Sequence, residues 1–405
     1  MRSGPPALRA LLHERIRAEG PIPFDRFMET ALYHPVHGYY CRRGVTTGAA
    51  GDFYTSPDVH EAFGRLVSRQ IAEIADLALG EENGSFEIVE AGPGRGALAR
   101  DIIAALAEER PDLARRTTYT LVEISPALKD VQEETLSGGA ARAMRGIAWA
   151  GWPEVVDRPV AGGRRVCVIA NEFLDALPVH RVERRGDRLL EVHVTSDGEG
   201  FREVLEEPSS QELASHLAML EGEHGIRLLE GQRADIGLRA LDWIASLGDL
   251  FGAGGRGGAV IIDYGHPARE LFDPARRDGT LICYYKHRTC GDPYQRVGAQ
   301  DMTAHLDFTS IERRGRRAGF DVRGPITQMR FLVALGLAGM VADLAQQGDM
   351  LARQRDRLAM HALMAPGGMG EIFKVLLMTR GLAVSSLLGA RDPFRTGMSK
   401  EASRG

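Results

Sequence analysis

Residues 86–96 join an apolar strand to an acidic residue and three glycines. The strand ends at Glu90, and Gly92, Gly94 and Gly96 follow before an amphipathic helix begins. Glycine lets the backbone turn sharply and lets a bulky ligand approach closely, and a helix N-terminus presents unpaired N–H groups. A carboxylate at this turn would repel a pyrophosphate but would attract a positively charged ligand. The segment therefore favours S-adenosylmethionine (AdoMet), which carries a cation, a ribose and an adenine without phosphate.

The same glycines leave two other interpretations open. Gly92, Gly94 and Ala97 also satisfy the G-x-G-x-x-G/A pattern of dinucleotide-binding folds, and a tight turn without any ligand is the simplest alternative. The next predicted strand ends at Glu123, and an acid at that position faces the ribose bound beside the first strand. Glu123 is compatible with either cofactor, whereas Glu90 favours AdoMet over NAD.

Acidic residues also follow the fourth predicted strand. The segment NEFLDALP then carries Asn171, Glu172 and Asp175. Ligands of open α/β sheets bind outside the carboxyl ends of the strands, so two acids there could hold a guanidinium or ammonium group and accept its proton. The same two acids could instead cap the start of a helix. The spacing alone favours neither.

The fifth predicted strand ends at Asp263 and runs into Tyr264 and His266. Asp263 could support the site, and Tyr264 or His266 could face a substrate. A solvated loop imidazole is the alternative for His266. Two later polar and aromatic segments, residues 281–288 and 297–305, could line the substrate side or only fix loops.

Residues 51–56 carry aromatic and hydroxyl groups that could close over the cofactor. Ser56 also suits the N-cap of a helix, with Pro57 at its first position, and an apolar stripe of period 3.6 over residues 63–74 continues that helix. Capping alone would explain Ser56.

Composition is that of an ordinary globular protein. Of 405 residues, 44% are hydrophobic and 26% are charged, and the net charge of −5 gives no basic excess for nucleic acid. The four cysteines form no C-x-x-C pair, which argues against a zinc site or disulfide framework and fits a reducing compartment. His34 and His37 have the spacing of metal ligands, but Pro35 disfavours a helix there, so we expect no metal. No apolar run reaches about 18 residues and no signal-peptide core is present, so we expect no membrane span and a cytoplasmic protein.

Strands and helices alternate from residue 86 onward, which predicts a parallel sheet flanked by helices. The predicted strands lie near 86–90, 118–123, 146–150, 166–170, 259–263, 320–328 and 371–379. Residues 176–257 break this rhythm with a β-meander and helices, inserted between strands four and five, and a further helical piece is expected at 330–365. The predicted division is a helical or lid segment at 1–80, a core at 81–175 and 258–382, an inserted substrate-side segment at 176–257 and a loose tail at 383–405.

Nine segments together resemble the MidA-like methyltransferases, the family of the mitochondrial complex I assembly-factor arginine methyltransferase and its bacterial relatives. NEFLDALP and GDFYTSP are the most specific of them, whereas the glycine motif is shared by many enzymes. In chain order the segments are 32–40, GDFYTSPDVHEAFG at 51–64, EAGPGRG at 90–96, LVEISPAL at 121–128, NEFLDALPV at 171–179, IIDYGH at 261–266, GTLICYYKHR at 279–288, QDMTAHLDF at 300–308 and IFKVLLMTRG at 372–381. The resemblance covers nearly the whole chain.

The resemblance implies a Rossmann-like, seven-stranded class I methyltransferase sheet that binds AdoMet. By position, Glu90, Gly92, Gly94 and Gly96 would form the loop around the methionine end, Glu123 would bind the ribose hydroxyls, and Asn171, Glu172 and Asp175 would lie at the mouth of the active site. We add Pro93, Ile124, Thr55 and Ser56 to the cofactor side, and Asp263, Tyr264, His266, Tyr285 and His287 to the substrate side.

For the eukaryotic members, the resemblance implies symmetric dimethylation of an arginine on a complex I subunit in the mitochondrial matrix. We expect this chain to be a protein arginine methyltransferase, in which Glu172 orients the guanidinium and takes up a proton, with Asp175 as the second candidate. Its short N-terminus suits a bacterial form without a mitochondrial leader. The alternatives are an AdoMet-binding assembly chaperone without turnover, a methyltransferase with a small-molecule acceptor, and an NAD-dependent oxidoreductase.

Overall fold

The computed structural model describes residues 4–42, 52, 54–82, 84–158, 160, 162–343 and 349–394. Parts of two predicted segments, residues 51–56 and the tail at 383–405, therefore lie outside the described residues. The first strands are β1 (Ile22–Pro23), β2 (Phe86–Ala91), β3 (Thr117–Val122), β4 (Gly146–Ala150), β5 (Arg165–Asn171), β6 (His180–Arg185), β7 (Arg188–Ser196) and β8 (Phe201–Glu206). They are followed by β9 (Arg233–Ile236), β10 (Arg256–His266), β11 (Ile282–Tyr285), β12 (Arg288–Cys290), β13 (Asp301–Thr303), β14 (Leu306–Asp307), β15 (Asp321–Thr327) and β16 (Phe373–Arg380).

Helices connect these strands. The first eight are α1 (Pro6–Glu19), α2 (Phe24–Tyr33), α3 (Ser56–Val59), α4 (Ala62–Leu79), α5 (Ala97–Glu109), α6 (Pro111–Ala114), α7 (Pro126–Thr135) and α8 (Trp152–Val156). The others are α9 (Gln211–His224), α10 (Leu238–Phe251), α11 (Ala268–Leu271), α12 (Phe308–Arg317), α13 (Gln328–Ala334), α14 (Leu337–Asp343), α15 (Met350–Met364) and α16 (Met369–Ile372). Within the described part of the chain, no helix combines the length and apolar character needed to cross a bilayer.

Seven strands lie side by side in the central sheet, in the order β15-β16-β10-β5-β2-β3-β4. Neighbouring strands from β10 to β4 are parallel, and β16 runs antiparallel to both β10 and β15. The predicted α/β fold class is confirmed, and each predicted strand of this sheet is present. The two-residue strand β14, which pairs with the end of β10, was not predicted.

The strand order reverses beside β2. β3 and β4 follow it on one side, whereas β5 and β10 lie on the other, so a crevice opens at the carboxyl ends of β2 and β5. Residues 166–170 of β5 have no exposed surface. Such a continuous apolar run is typical of a parallel strand that is covered on both faces.

Helices cover both faces of this sheet. Ile88 and Val89 are adjacent on β2, but they point to opposite faces and belong to separate apolar clusters. Side chains of α4 and α5 pack on the Ile88 face, and those of α10 and α12 pack on the Val89 face. Burial of a large apolar side chain contributes about 1.5–3 kcal/mol, so the two clusters together hold the strand ends and the crevice in place.

A second, antiparallel sheet has the order β1-β7-β6-β9, with β8 paired to β7. β6, β7 and β8 form the predicted meander between β5 and β10. β1 comes from the N-terminal segment, where Ile22 pairs with Val194 of β7. The sequence predicts a mostly helical segment without a strand there, because two residues that include a proline carry no strand periodicity. The division into four segments stays a prediction.

The helix expected to start at Ser56 differs from the prediction. It ends at Val59 after one turn, because His60 has extended backbone, and the apolar stripe lies on the separate helix α4. The N-cap is Thr55, whose N–H donates to the Asp58 carboxylate at 3.1 Å. Ser56 therefore does not cap this helix.

Gly257 offers a test of the packing between β10 and β5. Its φ is +144°, and a Cβ built on it would lie 1.9 Å from the carbonyl oxygen of Val166. We expect Gly257→Ala to lower the free energy of unfolding by at least about 2 kcal/mol, measured by urea denaturation. Gly146→Ala is the matched control, since its Cβ would meet no atom within 4 Å. Equal stabilities of the two variants would contradict the prediction.

Candidate active site

A cavity of about 630 Å³, here called the first cavity, opens at the carboxyl ends of β2, β3 and β5. Its lining includes Glu90, Gly92, Pro93, Gly94, Glu123, Ile124, Asn171 and Glu172, together with Thr55 from the segment before α3. All nine residues were predicted as site residues. The structure brings them together because the ends of parallel strands meet at one edge of the sheet.

The glycine turn after β2 has a backbone that requires glycine. Gly92, Gly94 and Gly96 have φ values of 65°, 53° and 80°. A Cβ on Gly92 would lie 2.6 Å from the Phe173 ring, whereas a Cβ on Gly94 would meet no protein atom within 4 Å, since Gly94 lines the cavity. The space that a side chain would take at Gly94 is left to a ligand.

Glu90 is a buried carboxyl in the wall of this cavity. Only 2% of the residue is exposed, and the Tyr119 hydroxyl donates to it at 2.8 Å. Burial raises the pKa of Glu90 to about 7, although the hydrogen bond from Tyr119 acts in the opposite direction. A positively charged ligand would favour the ionised form.

Gln132 connects the glycine turn to the acid after β3. Its amide nitrogen donates to the Gly94 carbonyl at 2.7 Å and to the Glu123 carboxylate at 2.9 Å, and Trp149 donates to its oxygen at 2.8 Å. Gln132 is fully buried. Gln132 was not predicted, because its position on α7 does not reveal which groups its amide contacts.

An aromatic wall forms another part of the first cavity. The ring centroids of Trp152 and Trp243 are 4.8 Å apart, and those of Phe173 and Trp243 are 5.3 Å apart. Ile124 lies on the same cavity with more than half of its surface exposed. Flat apolar surfaces of this kind suit a nucleobase. The three aromatic residues were not predicted.

A second cavity of about 300 Å³ meets the first at two residues, Tyr40 and Glu172, which line both. Its remaining lining residues are Asp52, Tyr54, Asp175, Tyr264, Tyr284, His287, Asp301, Thr303 and Phe373. The wall therefore combines four carboxyl groups with several aromatic rings. Such a wall suits a flat cation.

Glu172 stands where the two cavities join, with a backbone φ of +49°. A non-glycine residue in this region costs on the order of 1–3 kcal/mol and persists only where its surroundings hold it. One carboxylate oxygen accepts the N–H of Ser56 at 3.1 Å and the amide of Asn171 at 3.3 Å. Burial raises the pKa of Glu172 to about 8, and the Asp175 charge adds to this effect.

Asp263 holds the loop that carries Glu172. It is fully buried, and its carboxylate accepts the backbone N–H groups of Leu174 at 3.0 Å, Asp175 at 3.3 Å and Tyr264 at 2.8 Å. Burial raises the pKa of Asp175 to about 6, and interaction with the Tyr264 side chain opposes this shift. Asp263 does not line the second cavity, but it holds the backbone of the loop that does.

Two acids of the second cavity were not predicted. Asp301 accepts the Tyr40 hydroxyl at 2.7 Å, and burial raises its pKa to about 7. Asp52 accepts the Tyr39 hydroxyl at 2.7 Å and the backbone N–H of Lys286 at 2.6 Å. Both residues lie in segments that the sequence analysis singled out, but nothing in those segments marks these acids above their neighbours.

Some predicted substrate-side residues lie elsewhere. Tyr264 and His287 line the second cavity, but Tyr285 does not, because neighbouring residues of a strand point to opposite faces and Tyr284 faces the cavity instead. The Tyr285 ring lies instead against Arg296, and the guanidinium carbon of Arg296 is 4.8 Å from the centroid of that ring.

His266 is also outside both cavities. Its Nδ1 lies 2.6 Å from the Glu270 carboxylate, and its Nε2 lies 3.1 Å from the Arg276 guanidinium. The interpretation as a loop imidazole fits this position better than a role at the substrate.

Two predicted cofactor residues do not line the first cavity. Ser56 is fully buried and its hydroxyl donates to Gln328 at 3.0 Å, so its contribution is the N–H that Glu172 accepts. Gly96 is the N-cap of α5, and a Cβ on it would contact the side chain of Gln132 at 3.4 Å. The functional roles of the site residues stay predictions.

His34 and His37, the pair considered as metal ligands, stack with ring centroids 5.3 Å apart. The His34 ring nitrogen Nδ1 accepts the backbone N–H groups of Val36 and His37. Elsewhere in the described chain, Asp25, His180 and Glu191 bring potential ligand atoms within 4.8 Å of one another. The expectation of no metal site stays a prediction.

The strand order, the glycine turn at the point where that order reverses, and the acids at the ends of β2 and β3 define an AdoMet-dependent methyltransferase of class I. Comparison with known proteins agrees. Residues 66–326 match the family model of S-adenosyl-L-methionine-dependent methyltransferases. The chain belongs to this family, and its cofactor is AdoMet.

Named relatives and a solved structure resemble most of the chain. It is 30% identical to "Protein arginine methyltransferase NDUFAF7, mitochondrial" of Danio rerio, covering 90% of this chain and 84% of that protein. It is also 30% identical to the Drosophila melanogaster homolog, covering 95% and 87%. A Burkholderia thailandensis protein crystallised with S-adenosyl-homocysteine is 31% identical, with a TM-score of 0.80 and coverage of 95% of this chain and 94% of that one.

Gly94 provides a test of whether the glycine turn after β2 holds the cofactor. We expect Gly94→Val to abolish binding of S-adenosylhomocysteine in calorimetry, because the side chain would fill the space next to the turn. Gly186→Val is the matched control, since Gly186 has a similar φ of 60° and open surroundings but does not line the cavity. Normal affinity in a folded Gly94→Val protein would contradict the prediction that the glycine turn holds the cofactor.

The pKa of about 7 for Glu90 predicts a pH-dependent affinity for AdoMet. Below pH 7 the carboxyl is mostly protonated and neutral, and above it the ionised form attracts the cationic ligand. Affinity should therefore rise about eightfold between pH 6 and pH 7.5, in proportion to the ionised fraction. Calorimetry at several pH values measures this rise, and Glu90→Gln should remove most of it. A variant with the same pH dependence as wild type would exclude Glu90 as the cause.

Proposed function

We propose that this protein methylates the guanidinium group of arginine in an acceptor protein. The observation that supports this most is the second cavity, which joins the first at Glu172 and is walled by four carboxyl groups and aromatic rings. Carboxylates bind guanidinium through charge-assisted hydrogen bonds, and aromatic faces attract the planar cation. The relatives named protein arginine methyltransferases support the same acceptor.

The first cavity would hold the cofactor. The methionine end would be surrounded by Glu90, Gly92, Pro93 and Gly94. Glu123 would accept hydrogen bonds from the ribose hydroxyls. The nucleoside would be covered by Ile124 and Thr55. When bound, AdoMet supplies an activated methyl group that an acceptor nitrogen takes by in-line displacement. The protein's task is then to align the acceptor, and positioning of this kind is worth on the order of 7–11 kcal/mol.

Glu172 is our first candidate for aligning the acceptor. The guanidinium nitrogen must lose a proton when it gains a methyl group. The raised pKa of Glu172, about 8, makes its carboxylate a stronger base than an ordinary one, and the cationic guanidinium beside it would favour the ionised form that accepts the proton. Asn171 holds the Glu172 carboxylate by a hydrogen bond of 3.3 Å. Asp175 is the second candidate.

For the finer steps we follow the family resemblance. We propose that the product is symmetrically dimethylated arginine and that the acceptor is a subunit of a respiratory complex I. We also propose that this protein is located in the cytoplasm.

Glu172→Gln separates catalysis from cofactor binding. We expect the variant to lower turnover by at least about 100-fold, the usual size of a lost general base, while the AdoMet dissociation constant changes by less than about threefold. Glu134→Gln, at an exposed position on α7, is the control. Equal losses of turnover and AdoMet affinity in Glu172→Gln would count against this role.

The acceptor class is tested with labelled AdoMet and a proteome from cells that lack this protein. We expect label in arginine, which mass spectrometry would identify as methylarginine, and dimethylated residues would show methyl groups on both terminal nitrogens. Label confined to small molecules, or to residues other than arginine, would overturn the proposal. AdoMet binding without any transfer would point to a chaperone.

A further inference from the structure

One carboxyl group in the wall of the second cavity, Asp301, has no individual role in the proposed reaction. Asp301 lies on β13 with 1% of its surface exposed, and it lines the cavity from a chain segment distant from Glu172. Within the described residues, its hydrogen bonds from the Tyr40 hydroxyl (2.7 Å) and the Met302 N–H (2.9 Å) both reach Oδ1. The carboxyl is therefore held in one orientation with Oδ2 left for a ligand.

The Glu172 carboxyl, also in the wall of the second cavity, is held in the same way. Hydrogen bonds from Ser56 and Asn171 both reach Oε1 of Glu172, and Oε2 carries none from the described residues. The phenol of Tyr284 lies on the same cavity, and Asp175, Asp301 and Glu172 all contribute to raising its pKa after burial. The three acids and this phenol therefore line one cavity.

This arrangement distinguishes two kinds of cation. A guanidinium is planar and presents N–H donors on three nitrogens, so two separately held carboxylates can bind it at once. An ammonium group is a compact charge with its three N–H donors on a single nitrogen, so it spans less of the distance between two carboxylates than a planar guanidinium does. We infer that Asp301 binds a second nitrogen of the guanidinium held by Glu172 and thereby makes the cavity selective for guanidinium over ammonium acceptors. The inference rests on the proposed function and assigns a specificity residue to it.

Side-chain analogues test this selectivity directly. The protein saturated with S-adenosylhomocysteine is titrated with ethylguanidinium and with ethylammonium, and binding is followed by ligand-observed NMR. We expect wild type to bind ethylguanidinium at least about tenfold more tightly, the size expected for one additional charge-assisted hydrogen bond. We expect Asp301→Asn to lose about tenfold in affinity for ethylguanidinium, with ethylammonium and S-adenosylhomocysteine little changed.

Two further variants separate substrate binding from structural support. Asp130→Asn, at an exposed position on α7, is the matched control for the change of charge. Tyr40→Phe removes the hydrogen bond from the Tyr40 hydroxyl to Asp301 but keeps the carboxylate, so it should lose less affinity for ethylguanidinium than Asp301→Asn. Equal losses in these two variants would show that Asp301 only anchors Tyr40.

The remaining outcomes also decide the matter. Wild type that binds both analogues equally, or neither, overturns the inference even if Asp301→Asn fails to fold. Asp301→Asn that keeps its preference for ethylguanidinium overturns it as well. The proposed function fails separately, when wild type transfers methyl groups to residues other than arginine. Arginine methylation that Asp301→Asn leaves unchanged would remove only the role of Asp301.

Discussion

The geometry of the active site depends on the buried carboxylate of Asp263. Its two oxygens accept three backbone N–H groups, two from the loop after β5 and one from its own strand. Burial raises its pKa well above the ordinary value, and the Asp175 charge adds to this effect. These bonds fasten the loop to the neighbouring strand. They help to explain how Glu172 keeps a left-handed backbone and faces both cavities.

The acids of the two cavities are costly to the folded protein. Glu90, Glu172 and Asp301 all have raised pKa values, because burial removes the water that would stabilise their charges. Such groups are concentrated at functional sites more often than elsewhere. A cationic ligand in either cavity would offset part of that cost, and a ligand that binds only the folded state stabilises it. These buried acids therefore lower the stability of the folded protein and favour the binding of a cationic ligand.

The sequence by itself determined the central sheet and predicted the place of the cofactor. Apolar runs and their alternation with helices are local patterns, so each predicted strand of the sheet is present. The glycine turn, Glu90 and Glu123 could be recognised because their positions at strand ends carry the meaning. Parallel strands bring those ends to one edge, and this rule also pointed to Glu172 and Asp175, although their spacing alone left helix capping equally open. Their roles stay predictions.

Only the tertiary structure decided which side chains meet. Tyr284 rather than Tyr285 faces the second cavity, and the antiparallel pairing of β11 with β12 and β13 sets this choice. The Ser56 hydroxyl turns to Gln328, more than 270 residues further along the chain. Asp301 reaches the cavity through strands that no local pattern connects to Glu172. Periodicity reports which face of an element is buried, but the convergence of distant segments depends on how those faces pack together.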